Sequence, residues 1–205
     1  MSRSAKFDSA QIIDVTSRLI ARDGPALATM ARIAAEAGAP TGSIYHRFSS
    51  RDVLLGEVWL AAAEGFQTAF GEKLRGRDPW RAGLDAALMV AERARTHTAE
   101  ARILLLHRRD DFLRGRWPEP LALRADALKR QLETGMQDFC QRLLGAVDPP
   151  ALRALRFAIV DIPMAAVLPH LRAQEDLPLS IESLIRVGYE AVIAHAGKSP
   201  AKANR

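Results

Sequence analysis

Cysteine is almost missing from this chain of 205 residues: Cys140 stands alone, so no intramolecular disulfide can form and a reducing compartment is expected. The opening residues MSRSAKFDSAQ lack the apolar run of a secretory signal. Nowhere do apolar residues continue for the ~20 positions that a membrane-crossing helix requires. A cytoplasmic protein without a membrane partner is therefore expected. The marks of catalysis are missing as well. There is no Gly-rich phosphate loop, no nucleophile motif and no Cys/His set at zinc spacing, so neither an enzyme nor a bound cofactor or metal is expected. Long polar low-complexity stretches and internal repeats are also absent.

What remains is a chain that can bury a substantial core, with 48% hydrophobic residues. Its net charge of +5 permits a polyanionic partner. The excess is not concentrated near the start: residues 1–56 carry seven Lys/Arg and five Asp/Glu, a balance of +2. Apolar residues recur at spacings of three and four nearly throughout, which predicts an all-α protein of about nine helices. The expected helices begin with residues 8–22, two short ones within 29–48, and one from Ser50 to about Leu74. Further helices are expected over residues 79–95, 99–112, 120–144, 151–172 and 180–195, with Pro163 kinking the eighth. The tail 197–205 is basic, poor in apolar residues and expected to be disordered.

The stretch TMARIAAEAGAPTGSIYHRFSSRDVLL, which starts at Thr29, carries the most information. Thr29 can cap a first short helix, whose inner face is Met30, Ile33, Ala34 and Ala37. Gly38 supplies the left-handed residue that ends it. Pro40 opens a second helix, in which Ile44 and Phe48 point inward. Thr41, Gly42, Ser43, Tyr45, His46 and Arg47 remain on the other faces. Small hydrogen-bonding groups, a phenol and a cation on an exposed helix suit a DNA groove edged by phosphates.

This segment resembles the DNA-binding region of the TetR family of bacterial repressors. Thr29, Ile33, Ala34, Ala37, Gly38, Gly42, Ile44, Tyr45, Phe48, Ser50, Arg51, Asp52 and Leu54 fill the family pattern in register. Pro40 departs from it, standing where a capping Ser is common, so the second helix is expected to start without a side-chain cap. The resemblance implies a three-helix helix-turn-helix domain over residues 8–55 and a helical ligand-binding and dimerisation domain over 56–196. It also implies a homodimer built through the last two helices, and residues such as Ala158, Ile159, Ile162, Ala165, Ala166, Leu184, Ile185, Gly188 and Val192 allow close helix approach or face the chain's own core.

The expected DNA contacts are Thr29, Thr41, Gly42, Ser43, Tyr45, His46, Arg47 and Arg51. Tyr45 and Arg51 are assigned to phosphates, Arg51 by its place in the family pattern; Thr41, Ser43 and His46 are base-edge candidates. Arg47 reads either as a phosphate or guanine contact or as a solvated charge. Trp80, Met89, His107, Phe112, Trp117, Met136, Phe139, Met164 and His170 lie where the resemblance implies a ligand cavity. Large apolar groups with few polar tips suit an apolar or aromatic effector, and equally an ordinary helix core. His107, Asp110 and Asp111 could share a metal or form a solvated helix end, and no ligands from other helices can be identified. Cys140 reads as a small buried hydrophobe. The function expected is that of a ligand-responsive repressor that binds a near-palindromic double-stranded operator as a dimer and is released by a small apolar effector. The alternative is an all-helical small-molecule-binding or interaction protein without a gene-regulatory role.

Overall fold

The computed structural model describes residues 8–113 and 115–197. The expected disordered tail lies outside them except for Gly197, and so does Arg114. Among the described residues there are nine helices and no strand: α1 (Ser9–Asp23), α2 (Met30–Ala37), α3 (Thr41–Tyr45), α4 (Arg51–Leu74), α5 (Pro79–Thr96), α6 (Thr98–Leu106), α7 (Glu119–Leu144), α8 (149–173) and α9 (Ser180–Ala196). Short 3-10 turns occupy Pro25–Leu27 and Arg109–Asp111. Side chains mark the starts. Asp8 and Gln11 form a capping box on α1, and Thr29, Ser50 and Asp148 accept the N–H groups of Arg32, Val53 and Ala151 at 3.2, 3.1 and 2.8 Å.

One boundary and one helix interior differ from the pattern in the sequence. The sixth helix stops at Leu106 rather than near Phe112, because His107 is extended and Asp111 turns back to accept the Arg108 N–H at 2.7 Å. The Asp111 carboxylate thus closes a local turn. In α8 the chain runs from Pro149 through a π turn at Phe157–Asp161 into Ile162–Ala173. There the Ile162 N–H reaches back five residues to the Phe157 carbonyl. Pro163 follows directly; its ring cannot sit against an ordinary preceding turn, and the widened turn accommodates it.

The chain divides into two compact units, the first formed by the chain up to Phe66 with His97–Leu128 and the second by Gln67–Thr96 with the chain from Lys129 onward. The first unit has one continuous apolar core. Ile12, Leu19 and Ile20 of α1 meet Ile33 of α2, Ile44 of α3, Leu54, Leu55 and Val58 of α4, and Phe112, Trp117 and Leu121 around the start of α7. Arg102 of α6 donates to the Ala21 carbonyl at the end of α1 at 2.5 Å. Gly56 lets Leu121 approach α4, since a Cβ there would lie 2.6 Å from its Cδ1.

In the second unit α5, α8 and α9 pack on one another. Tyr189 is fully buried, donates its hydroxyl to the Trp80 carbonyl at 2.8 Å, and occupies the space where Gly83 has no side chain. Burial pushes the Tyr189 phenol well above its ordinary range. Arg95 ties the end of α5 to Glu182 at 2.6 Å and to the Pro178 carbonyl at 3.3 Å.

Candidate nucleic-acid interface

The turn between α2 and α3 is built from local signals. Gly38 adopts φ 61°, ψ 28°, and its N–H and that of Ala39 return to the closing carbonyls of α2. Pro40 then starts α3 without a side-chain cap, as its identity dictates. Ile44 and Phe48 are buried in the core of the first unit, and the Phe48 N–H donates to the Ile44 carbonyl at 2.9 Å, so helical bonding outlasts the five-residue helix. The opposite face is open. Thr41, Gly42, Tyr45 and His46 are exposed, Ser43 and Arg47 half-buried, and Tyr45 leaves 51% of its surface free. A Cβ on Gly42 would meet nothing of this chain.

Thr29 is exposed and caps α2. Arg47 folds back to donate to the Ser43 carbonyl at 3.1 Å. Arg51, the expected phosphate contact, is turned towards the backbone of its own chain. Its guanidinium donates to the Ala28 carbonyl at 2.8 Å and the Pro25 carbonyl at 2.5 Å, with Asp52 at 3.5 Å. It therefore satisfies backbone acceptors at the entry to α2, a structural use that the local sequence does not reveal. Arg22 pairs with Glu36 at 3.1 Å and Arg32 with Asp23 at 2.6 Å, which joins the end of α1 to α2. Hydrogen bonding to Arg22 holds the Glu36 carboxyl below its ordinary value.

The nine residues expected around an effector do not gather in one unit. His107, Phe112 and Trp117 belong to the first; Trp80, Met89, Met136, Phe139, Met164 and His170 belong to the second. Phe112, Met89 and Phe139 are fully buried, Trp117 nearly so, and Trp80 is exposed with its ring edge to face with Tyr189 at 5.5 Å. His107 packs edge to face with Phe112 at 6.2 Å, and its burial, more than its charged neighbours, lowers its affinity for a proton. His170 lies 4.0 Å from Glu175. Cys140 is buried, and burial raises its thiol. The sequence alone assigns no role to Trp59 or Arg109. In the structure Arg109 lies on Trp117 and close to Trp59. Trp59 is far from Arg109 in the chain, and the irregular turn between Arg109 and Trp117 gives no periodic spacing that would pair them.

The apolar surface of the last helix is also informative. Ile181, Ile185, Tyr189 and Ile193 form its buried face. Leu184 and Val187 lie on another face with 66% and 64% of their surface exposed, and Phe157 of α8 is 50% exposed. Gly188 does not belong to that outer face: a Cβ there would lie 3.1 Å from Ile162 of the same chain.

Residues 12–58 match the family of bacterial regulatory proteins of the tetR type, a family of non-enzymatic DNA-binding proteins. The fold is similar to that of a transcriptional regulator from Rhodococcus sp. Rha1, with TM-score 0.72 and 17% identity over 95% of this chain and 100% of that one. It is likewise similar to the fatty acid degradation regulator FadR from Bacillus halodurans, with TM-score 0.67 and 17% identity over 91% and 98% of the two chains. FadR from Bacillus subtilis, solved in complex with stearoyl-CoA, gives TM-score 0.66 and 15% identity over 91% and 98%. At such identities the likeness establishes the fold. No curated protein matches the sequence.

Proposed function

We propose that this chain, whose residues 12–58 are a TetR-family N-terminal domain, is a ligand-responsive repressor that binds a near-palindromic operator as a homodimer. The observation that carries the reading is the outer face of α3. Tyr45, Thr41 and His46 are exposed on a short helix whose inner residues Ile44 and Phe48 fix it to the core. In this reading α3 enters the major groove, Tyr45 and Thr29 hold phosphates, and Thr41, Ser43 and His46 meet base edges. Arg51 positions the helices rather than touching DNA, and Arg47 stays on the flank of α3. Gly42, with open space around it, leaves room for close approach of the duplex.

Dimerisation through α8 and α9 is supported by the exposed Leu184, Val187 and Phe157, because a helix apolar on two faces needs two partners. Two tethered modules then bind two half-sites with a high effective concentration. Residues 8–55 carry recognition, and residues 56–196 carry effector binding and assembly. The effector is mostly apolar, neutral or weakly charged, in keeping with Met and aromatic residues from α4 onward; the Bacillus subtilis regulator was solved with stearoyl-CoA, whose long acyl chain, unlike its polyanionic CoA part, gives an apolar ligand a precedent in this fold. It releases DNA by binding more tightly to the conformation that fits DNA poorly. Selection of bound duplexes from a random pool tests the reading: recovery of one sequence with two related halves supports it, and recovery without any preference removes it.

A further inference from the structure

The turn between α6 and α7 contains an arrangement that DNA binding does not use. Arg109 lays its guanidinium on Trp117, its central carbon 4.3 Å from the indole centroid and 6.0 Å from that of Trp59. The two indoles meet edge to face at 5.7 Å. Trp117 is only 9% exposed. Its Nε1–H and the Nε–H of Arg109 are both buried with no acceptor among the described residues. A buried donor without a partner is costly, and two in one cluster require a common explanation. The ion pair of Arg109 is loose: Asp126 stands 3.7 Å away with 54% of its side chain exposed.

We propose that Arg109 and Trp117 bind the carboxylate of an apolar or aromatic organic acid, with Trp59 against its apolar part. A carboxylate offers two acceptor oxygens and one negative charge, which matches one guanidinium and one neutral indole N–H. A phosphate dianion fits poorly, because Asp110 and Asp111 share the turn with Arg109 and Asp126 already faces it. The inference rests on the reading of the chain as a ligand-responsive regulator and specifies the charged end of its effector.

The position of the site also supplies a route to DNA. Trp117 and Leu121 belong to the same buried core as Ile33, Ile44 and Phe48, which seat α2 and α3. Gly56 of α4 receives both Leu121 and Trp117. The two donors are covered in the present arrangement, so the acid enters by shifting the turn that carries Arg109. Differential affinity for the shifted form is what a releasing ligand needs.

The experiment uses the isotope-labelled full chain and follows the indole N–H resonances of Trp59, Trp80 and Trp117 by NMR, with Trp117→Phe assigning the last. Benzoate and decanoate are titrated against benzyl alcohol, methyl benzoate and decanol. The expected result is a saturable shift of the Trp117 resonance with at least one acid and none with its neutral counterpart. By calorimetry, Arg109→Gln and Trp117→Phe each weaken the acid by about tenfold or more, and Asp126→Asn does not. A Trp117 resonance indifferent to both acids, as when an ordered water serves the donors, overturns the proposal, and so do equal affinities for acid and neutral counterpart. If Arg109→Gln fails to fold, the wild-type resonance decides. Operator binding by the acid-free protein is measured separately: its loss removes the regulator reading and leaves the carboxylate site to stand or fall on the titration.

Discussion

Arg51 and Ala28 are joined by a hydrogen bond of 2.8 Å from the guanidinium Nε–H to the backbone carbonyl, and the same side chain reaches the Pro25 carbonyl. The first residue of α4 thereby fastens the turn that delivers the chain into α2. Arg51→Ala should lower stability by ~1–3 kcal/mol, since two acceptors in a half-buried setting lose their donor. Chemical denaturation reads this directly. A phosphate-binding Arg51 would instead leave stability unchanged and reduce the salt dependence of DNA binding by about one unit of slope.

Leu184→Glu and Phe157→Glu should each shift the protein towards monomer without lowering monomer stability, because both side chains are exposed within the chain. Sedimentation and thermal denaturation measure the two effects separately. Gly188→Leu should behave differently and destabilise the subunit itself, as Ile162 fills the space beside Gly188. An unchanged dimer in both Glu variants would place the interface elsewhere.

Gly83→Ala should destabilise the second unit by ~1–3 kcal/mol, since the new methyl would collide with the ring and hydroxyl of Tyr189. Gly83→Ala combined with Tyr189→Phe should recover only part of the loss: the hydroxyl clash goes, but the ring stays close and the bond to the Trp80 carbonyl is lost. Thermal denaturation of the single and double variants checks the order.

His107 predicts a dependence on pH. Its folded pKa lies below the ordinary 6.5, chiefly through burial, with Arg102 also lowering it and Asp111 opposing. The unfolded chain therefore binds the proton more readily. Stability contributed by the neutral imidazole is complete above about 6.5 and declines as pH falls from there through the folded value. His107→Phe should flatten that part of the stability profile. A profile unchanged by the substitution would assign the dependence to another group.

The helix-turn-helix was legible because its determinants are local. The Thr29 cap, the left-handed Gly38 and the Ile44/Phe48 spacing each act within a few residues, and each appears in the structure as its chemistry requires. Most helix limits were legible for the same reason. The end of α6 was not, because the apolar periodicity continues past Leu106 while His107 turns extended to serve the following turn. Arg51 and the close approaches at Gly56 and Gly83 depend on partners far away in the chain, so no short window of sequence contains them, and Arg109 meets Trp117 across an irregular turn that no helical or strand spacing describes. Charge alone did not mark Arg109, because a turn arginine looks alike in sequence with or without an indole beneath it.

The central claim is that the outer face of α3 binds DNA, with Tyr45 at a phosphate. Its most direct test is equilibrium binding of a duplex selected from the random pool, and of a scrambled duplex, by wild type and Tyr45→Phe across a range of salt. The account predicts that wild type prefers the selected duplex by ~10³-fold or more. It further predicts that Tyr45→Phe, which removes one hydroxyl from an exposed side chain, weakens both duplexes by a similar factor and leaves thermal stability unchanged. Equal binding of the two duplexes by wild type, or an affinity untouched by Tyr45→Phe, would contradict it.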